Sequence, residues 1–146
     1  MRKWDLRFLQ MCKLISTWSK DPSTKCGSVI VRPDNTVVSL GYNGFPRNIE
    51  DTAKRLADRE EKYKLTVHSE LNAILNAAEK LDGYTLYAFP FAPCVRCTPH
   101  IIQAGITRVV TIKASDDIME RWSQDIEMTK KLLGEAGMVF VEYIVE

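Results

Sequence analysis

The sequence lacks long apolar runs, and this absence limits where the protein can act. No stretch of its 146 residues approaches the roughly 18 apolar residues that a membrane-spanning helix needs. The charged segment 1–5 is not followed by an apolar segment of the kind that a secretory signal contains. We therefore expect a soluble, cytoplasmic protein that has no membrane partner.

An excess of either charge is also lacking. The 20 Lys and Arg residues nearly balance the 19 Asp and Glu residues, so the formal charge is +1. This supplies no field to attract a nucleic-acid backbone, and a small molecule is therefore the expected ligand rather than nucleic acid. The sequence has four cysteines, and without an export signal we expect reduced thiols rather than disulfides.

The length and the hydrophobic share of 45% bound the domain organisation. They are enough to bury one core and too small to suggest two. The sequence contains no internal repeat, low-complexity segment or linker. We expect residues 1–146 to form a single domain.

Two short motifs place metal ligands at suggestive spacings. Cys94 and Cys97 are three residues apart, so both sulfurs can face one ion from a single turn. With His68 as a third ligand, a zinc ion keeps a fourth position for a water whose pKa falls to about 7. Glu70 does not share the direction of His68 and is free to move protons as an acid and base. This combination is the signature of zinc-dependent nucleobase deaminases.

The Cys-x-x-Cys spacing by itself is as typical of a closed structural zinc site or a redox pair. The His-x-Glu motif argues against both, because a closed site needs a fourth ligand from the chain. That ligand would have to be His100, Cys12 or Cys26. We expect His100 to lie on a helix face, and the two cysteines to be small buried hydrophobic residues.

Hydrophobic periodicity and turn residues predict alternating helices and strands. Helices are predicted at 6–18, 68–80, 97–104 and, in one long final segment, from about 119 to Gly137. Strands are predicted at 26–31, 36–40, 84–89, 107–112 and 138–143, the first two as a hairpin. Residues 51–64 mix both signs of charge, which is typical of a solvated helix or a flexible loop.

This order implies a mixed sheet with helices on both faces. Both zinc motifs are predicted at strand-to-helix junctions, where helix N-termini offer N–H groups to the sulfurs. Helix interiors do not accept proline well, so Pro99 predicts that regular helix starts only there. Residues 94–97 would then form a preceding turn.

Four further segments carry a resemblance that runs over nearly the whole chain. They are Ser-Lys-Asp-Pro at 19–22, Gly-Tyr-Asn-Gly-Phe-Pro at 41–46, His-Ser-Glu-Leu-Asn-Ala-Ile at 68–74 and Leu-Leu-Gly-Glu-Ala-Gly at 132–137. The chain resembles the deoxycytidylate (dCMP) deaminase family, within the cytidine-deaminase-like superfamily. Segment 41–46 is the specific part, because the metal motifs alone would equally fit tRNA adenosine, cytosine or riboflavin-pathway deaminases. The resemblance implies an α/β fold, a three-layer α/β/α sandwich around a mixed five-stranded sheet.

The resemblance also implies an activity and its regulation. The reaction would be hydrolysis of dCMP to dUMP with release of ammonia, which supplies thymidylate synthesis. The enzyme would be a homo-oligomer, frequently a hexamer, activated by dCTP and inhibited by dTTP, each effector with Mg²⁺. The implied zinc ligands are His68, Cys94 and Cys97, with Glu70 as the acid and base. The implied effector residues are Gly44, Phe45, Pro46 and Arg47.

Substrate contacts are expected from three places. Asn43 is similar to the family residue that contacts the sugar hydroxyl. Arg121 and Trp122 look like the basic and aromatic pair that the family places ahead of its last helix, offering a phosphate ligand and a stacking face. Trp122 equally fits the apolar stripe of the final helix. Thr24 and Lys25 could help to bind the phosphate, or they could form a plain turn.

Three competing functions stay open at this point. A deaminase of another cytosine nucleotide, such as dCTP, would carry the same base and differ only in phosphate contacts. A tRNA or RNA deaminase would want a basic surface, which the near-zero charge does not supply. A non-catalytic zinc module would bind the metal through four protein groups and leave Glu70 dispensable.

Overall fold

A computed structural model describes residues 2–144 of the chain. Its helices are α1 (Arg2–Ser16), α2 (Ala53–Ala57), α3 (Arg59–Leu65), α4 (Ser69–Asn76), α5 (Thr98–Gln103) and α6 (Asp116–Glu135). Its strands are β1 (Gly27–Val31), β2 (Val37–Tyr42), β3 (Thr85–Phe89), β4 (Arg108–Ile112) and β5 (Val139–Tyr143). No helix within 2–144 has the length and apolarity needed to cross a bilayer.

The five strands form one mixed sheet in the order β2-β1-β3-β4-β5. The two pairs that involve β1 are antiparallel, and β3, β4 and β5 run parallel to one another. The parallel pairs follow from their connections, because α5 lies between β3 and β4 and α6 lies between β4 and β5. The predicted hairpin and the predicted mixed sheet are confirmed.

Alternation along the strands builds a core on each face of the sheet. Val29 of β1 and Val110 of β4 pack with the apolar stripe of α1. Their neighbours Ile30 and Val109 point the other way and pack with α4, α5 and α6. Successive strand side chains face opposite sides, so the central strands are covered on both faces, and β1 is buried at every position. The predicted layering of helices on both faces is confirmed.

Glycine allows two helices to approach the sheet closely. A Cβ atom on Gly27 would lie 2.1 Å from the carbonyl oxygen of Cys12 in α1. A Cβ atom on Gly41 would lie 2.5 Å from the carbonyl oxygen of Ser69 in α4. Neither position accepts a side chain without moving backbone, so these glycines set how near α1 and α4 lie to the first two strands.

Three predicted elements differ in their boundaries. The helix expected at 68–80 ends at Asn76, because Ala77 has extended backbone (ψ 134°) and Glu79 is bound by Arg32 and Tyr84. The charged segment 51–64 contains two short helices, α2 and α3, capped by side chains of Thr52 and Asp58. The strand-to-helix junction predicted at His68 is wrong in its strand, because an isolated bridge between Val67 and Gly44 precedes the helix instead.

Candidate zinc centre

His68 stands at the N-cap of α4, and Glu70 lies in the first turn of that helix. The approach to His68 is held by the bridge between Val67 and Gly44, whose two backbone hydrogen bonds measure 2.8 and 3.1 Å. Asn72 ties the same helix to the second strand by donating from its side chain to the carbonyl of Tyr42 (2.8 Å). The segment 41–46 therefore holds the backbone before His68 and the helix that follows it.

The two cysteines lie on a turn that leads into α5. The carbonyl oxygen of Cys94 accepts hydrogen bonds from the backbone N–H groups of Cys97 (3.1 Å) and Thr98 (3.0 Å) and from the Thr98 hydroxyl (2.8 Å). Regular helix begins at Thr98, with Pro99 in the first turn. The prediction that a turn precedes the helix at Pro99 is thus confirmed to within one residue.

Two side chains of α6 hold this turn from the other side. Thr129 donates from its hydroxyl to the carbonyl oxygen of Pro93 (2.8 Å). The carboxylate of Asp125 accepts a hydrogen bond from the backbone N–H of Val95 (3.1 Å). Neither Asp125 nor Thr129 was predicted as a site residue from the sequence. Their four-residue spacing, which puts two polar side chains on one face of the final helix, was the available signal.

The turn and the N-cap bring the three predicted metal ligands together. The ligand atoms of His68, Cys94 and Cys97 all lie within 4.8 Å of one another. The Nδ1 atom of His68 is 3.3 Å from each sulfur. Tetrahedral zinc, with bonds of about 2.3 Å to sulfur and 2.0 Å to nitrogen, separates such atoms by about 3.5 Å. The donor set and its spacing fit zinc.

The electrostatics of the cluster favour a thiolate. A hydrogen bond from the Cys97 thiol lowers the pKa of Cys94 to about 4, assisted by His68 and opposed by burial. The pKa of Cys97 is correspondingly raised, because its thiol donates to Cys94 in a buried place. The hydrogen bond with Cys94 also raises the pKa of His68, although burial opposes the rise. These groups share protons that a bound metal would displace.

Glu70 is buried beside the cluster without belonging to it. Its side chain is 7% exposed, and burial raises the pKa of its carboxyl group above the ordinary value. Glu70 is absent from the group of converging ligand atoms and forms no ion pair within 2–144. The arrangement leaves a proton-accepting group next to a metal site.

The other candidates for a fourth ligand lie outside the cluster. His100 is exposed and forms a hydrogen bond through Nδ1 with the carbonyl of Arg96 (3.0 Å). Cys12 is fully buried, as expected, and donates to the carbonyl of Tyr87 (3.4 Å). Cys26 is only partly buried. In the part of the chain that the structure describes, the converging set has three members.

Asn43 is buried behind the site and organises the loop at 21–26. Its side-chain oxygen accepts from the backbone N–H of Cys26 (2.8 Å), and its side-chain nitrogen donates to the carbonyl of Thr24 (2.9 Å). The same loop is held by Asp21, which accepts from the Thr24 N–H (3.2 Å) and pairs with Lys62 of α3 (3.1 Å). Thr24 and the exposed Lys25 therefore lie in a structured loop rather than a free turn.

The structure places Arg121 and Trp122 in the second turn of α6. The expectation that this pair precedes the last helix is wrong, because α6 already begins at Asp116. Trp122 is 39% exposed, so the alternative of core packing is not supported either. The pair lies one turn before Asp125, which is bound to the Cys94–Cys97 turn.

The predicted effector residues lie at one edge of a small cavity. Gly44 and Phe45 help to line a space of about 140 Å³ that also meets Trp18, Tyr42 and Asn43. Pro46 and Arg47 follow on the exposed surface, where the Arg47 guanidinium donates to the Asn76 side chain (3.2 Å). The four residues are thus contiguous with the bridge that holds His68.

Comparison with known proteins identifies the family. The model of the cytidine and deoxycytidylate deaminase zinc-binding region matches residues 2–113. The chain belongs to this family. A protein of Aliivibrio fischeri described as an uncharacterized deaminase in the luxG 3′ region is 41% identical over 136 residues, which cover 93% of this chain and 90% of that protein. The deoxycytidylate deaminase of Homo sapiens is 34% identical over 148 residues, covering 97% and 80%.

The fold is shared with a solved deaminase as well. The crystal structure of dCMP deaminase from the cyanophage S-TIM5 in complex with dCMP and dUMP has a TM-score of 0.76 and 19% sequence identity. The match covers 97% of this chain and 98% of that one. At this identity the likeness concerns the fold. The predicted resemblance and the predicted α/β fold are confirmed.

Proposed function

We propose that the protein is a zinc-dependent deaminase that hydrolyses dCMP to dUMP and releases ammonia, supplying dUMP for thymidylate synthesis. The observation that carries the proposal is the convergence of His68, Cys94 and Cys97 beside the buried Glu70. Membership of the family and the names of several relatives support the substrate.

His68, Cys94 and Cys97 would hold the zinc ion through one ring nitrogen and two sulfurs. When bound, zinc lowers the pKa of a water that it carries and so supplies the nucleophile. Glu70 accepts a proton from the attacking water and delivers it to the ring nitrogen next to C4 of cytosine. It then transfers the second proton to the departing amino group as the C4–N bond breaks, which releases ammonia and leaves uracil. Burial suits Glu70 to this cycle because its raised pKa makes protonation easier.

Substrate binding is proposed for residues around the loop at 21–26. Asn43 contacts the sugar hydroxyl, and Thr24 and Lys25 contribute to the phosphate site. The two hydrogen bonds from Asn43 to this loop support a second, positioning role for its side chain. Arg121 is proposed as a phosphate ligand and Trp122 as a stacking face. Both lie in α6, one helix turn before Asp125.

We also propose that the 146 residues form one domain and that the chain acts as a homo-oligomer, a hexamer. Activation by dCTP and inhibition by dTTP, each with Mg²⁺, would act through Gly44, Phe45, Pro46 and Arg47. The bridge between Gly44 and Val67 supports this coupling, because it joins the effector loop to the residue before His68. Free cysteines support a reducing, cytoplasmic location.

The experiment is an assay of ammonia release with zinc analysis on the same preparation. We expect one zinc per chain and turnover of dCMP, with dCMP preferred over dCTP, CMP and deoxycytidine. Repeating the panel with dCTP or dTTP and Mg²⁺ tests regulation. Preference for dCTP would favour the alternative nucleotide deaminase. Stoichiometric zinc without ammonia release from any cytosine compound would favour a non-catalytic module and refute the proposal.

A further inference from the structure

One arginine stands inside the metal-binding turn without a role in the chemistry described above. Arg96 lies between the two cysteines, and its side chain is exposed. Its guanidinium carbon lies 4.8 Å from the centre of the ring of Tyr63, a residue of α3. Its carbonyl oxygen bonds with Nδ1 of His100 (3.0 Å). Backbone and side chain are therefore both held.

The charge of Arg96 is not neutralised by a carboxylate. Between residues 2 and 144, arginines 32, 55 and 108 pair with acidic side chains, and Arg96 does not. Stacking on an aromatic ring orders a guanidinium while its N–H groups stay available at the edge. That edge is suited to bidentate binding of a phosphate group.

The segments that neighbour Arg96 indicate which ligand it would bind. Tyr63 precedes His68 by five residues, so the helix that supports Arg96 leads directly to a zinc ligand. The next residue back, Lys62, holds Asp21 (3.1 Å) and Ser23 (3.0 Å) in the loop at 21–26. The helix α3 thus contacts the metal-binding turn through Tyr63 and the proposed substrate loop through Lys62.

We infer that Arg96, ordered by Tyr63, binds the 5′-phosphate of the substrate and sets the preference for a nucleoside monophosphate over the free nucleoside. This inference rests on the proposed function and deepens it. Arg96 is a binding residue in this reading and takes no part in proton transfer.

The test compares dCMP with deoxycytidine in Arg96→Met, which keeps an unbranched apolar side chain and removes the guanidinium group and its charge. We expect KM for dCMP to rise about 10- to 100-fold, as loss of a hydrogen bond to a charged group implies, with kcat changed about 3-fold or less. The kcat/KM for deoxycytidine should stay within a factor of about two, because this substrate has no phosphate. Tyr63→Leu should give a smaller change of the same kind.

The chain offers a matched control. Arg7 stacks on Trp4 at the same 4.8 Å but belongs to α1, so Arg7→Met should leave both substrates unaffected. Zinc content of Arg96→Met should equal that of the unmodified protein. Equal losses with dCMP and deoxycytidine would overturn the inference, as would an unchanged KM for dCMP. A selective loss in Arg121→Met but not in Arg96→Met would overturn it as well.

A binding measurement separates this inference from the proposed function. Calorimetric titration with dCMP is made on zinc-loaded Glu70→Gln protein, with and without Arg96→Met. We expect the second substitution to weaken dCMP binding about 10- to 100-fold and to leave deoxycytidine binding unchanged. Phosphate-dependent binding without ammonia release by the unmodified enzyme would refute the deaminase proposal and support Arg96. If the unmodified enzyme deaminates dCMP but Arg96→Met does not weaken dCMP binding, the deaminase proposal is supported and the inference on Arg96 is refuted.

Discussion

Two buried carboxylates, Asp5 and Glu70, lie in different surroundings in the same small protein. Asp5 is 1% exposed and accepts hydrogen bonds from Tyr87 (2.7 Å), Tyr143 (2.5 Å) and both ends of the Arg108 guanidinium (2.9 and 2.7 Å). Glu70 is almost as deeply buried, and it forms no ion pair in the part of the chain described.

The difference appears in their pKa values. Burial alone would raise the pKa of Asp5, but the hydrogen bonds of Arg108, Tyr143 and Tyr87 outweigh burial and lower it. At Glu70 burial dominates and raises the pKa. Asp5 is therefore held as a charged group that joins α1 to β3, β4 and β5, whereas burial of Glu70 disfavours its charged form.

Replacing Glu70, the proposed acid and base, should reduce activity more than any other change considered. In Glu70→Gln, kcat for dCMP should fall by about 10² to 10⁴, because an amide cannot accept and return a proton. Zinc content should be unchanged, since Glu70 is outside the ligand set. Thermal stability should stay the same or rise, because no ion pair is lost. Steady-state assays, zinc analysis and thermal unfolding measure the three quantities, and turnover within a few-fold of normal would contradict the assignment.

The matching substitution at Asp5 should give the opposite pattern, a loss of stability with little change in activity. In Asp5→Asn, the free energy of unfolding should fall by about 3 to 5 kcal/mol, because Arg108 loses its buried partner. Protein that still folds should keep zinc and near-normal kcat, since this network lies on the α1 face of the sheet. Urea unfolding with parallel activity assays tests this. Loss of kcat in fully folded protein would show that the two carboxylates are coupled.

Removing one of the hydrogen-bond donors to Asp5 should destabilise the protein by a smaller amount. Tyr87→Phe keeps the ring that packs on Phe8 at 5.1 Å and removes only the hydroxyl that donates to Asp5. The cost to the free energy of unfolding should be about 1.5 to 3 kcal/mol, as for a hydrogen bond to a charged group. Urea unfolding measures it. A neutral effect would mean that Arg108 and Tyr143 alone satisfy the carboxylate.

Acidification should remove a further, smaller part of this stability. A carboxylate with a lowered folded pKa stabilises the fold above the unfolded pKa of about 3.9 and loses this contribution as pH falls through the folded pKa. The stability difference between the unmodified protein and Asp5→Asn should therefore be constant above about pH 5 and shrink below about pH 4. Urea titrations across this range measure the difference, and a gap that widens on acidification would have the wrong sign.

Much of the fold was predictable because it follows from local patterns. The short apolar segments within β1 and β4 indicate strands, and the three- and four-residue steps of α1 and α6 indicate amphipathic helices. The boundary at Asn76 was missed because it depends on contacts of Glu79 with two residues distant in sequence. Helix propensity cannot report such a contact.

The residues of the candidate site likewise divide into those that could be predicted from the sequence and those that could not. His68, Cys94 and Cys97 were identifiable because ligand type and spacing are written in the chain. Asp125 and Lys62 were missed because each acts on a segment 30 or more residues away. The family resemblance gave Trp122 a stacking role and its spacing a core role, and its exposure in α6 excludes the core.

Residue type and short spacing were enough to predict which atoms could bind a metal and which acid could move a proton. Only the tertiary structure shows that Glu70 is buried and, among residues 2–144, forms no ion pair, whereas Asp5 is bound by Tyr87, Tyr143 and Arg108. It also decided that Arg96 is ordered on Tyr63 from another segment. The reason is that charge, burial and hydrogen bonding at a point in space sum over all segments that meet there.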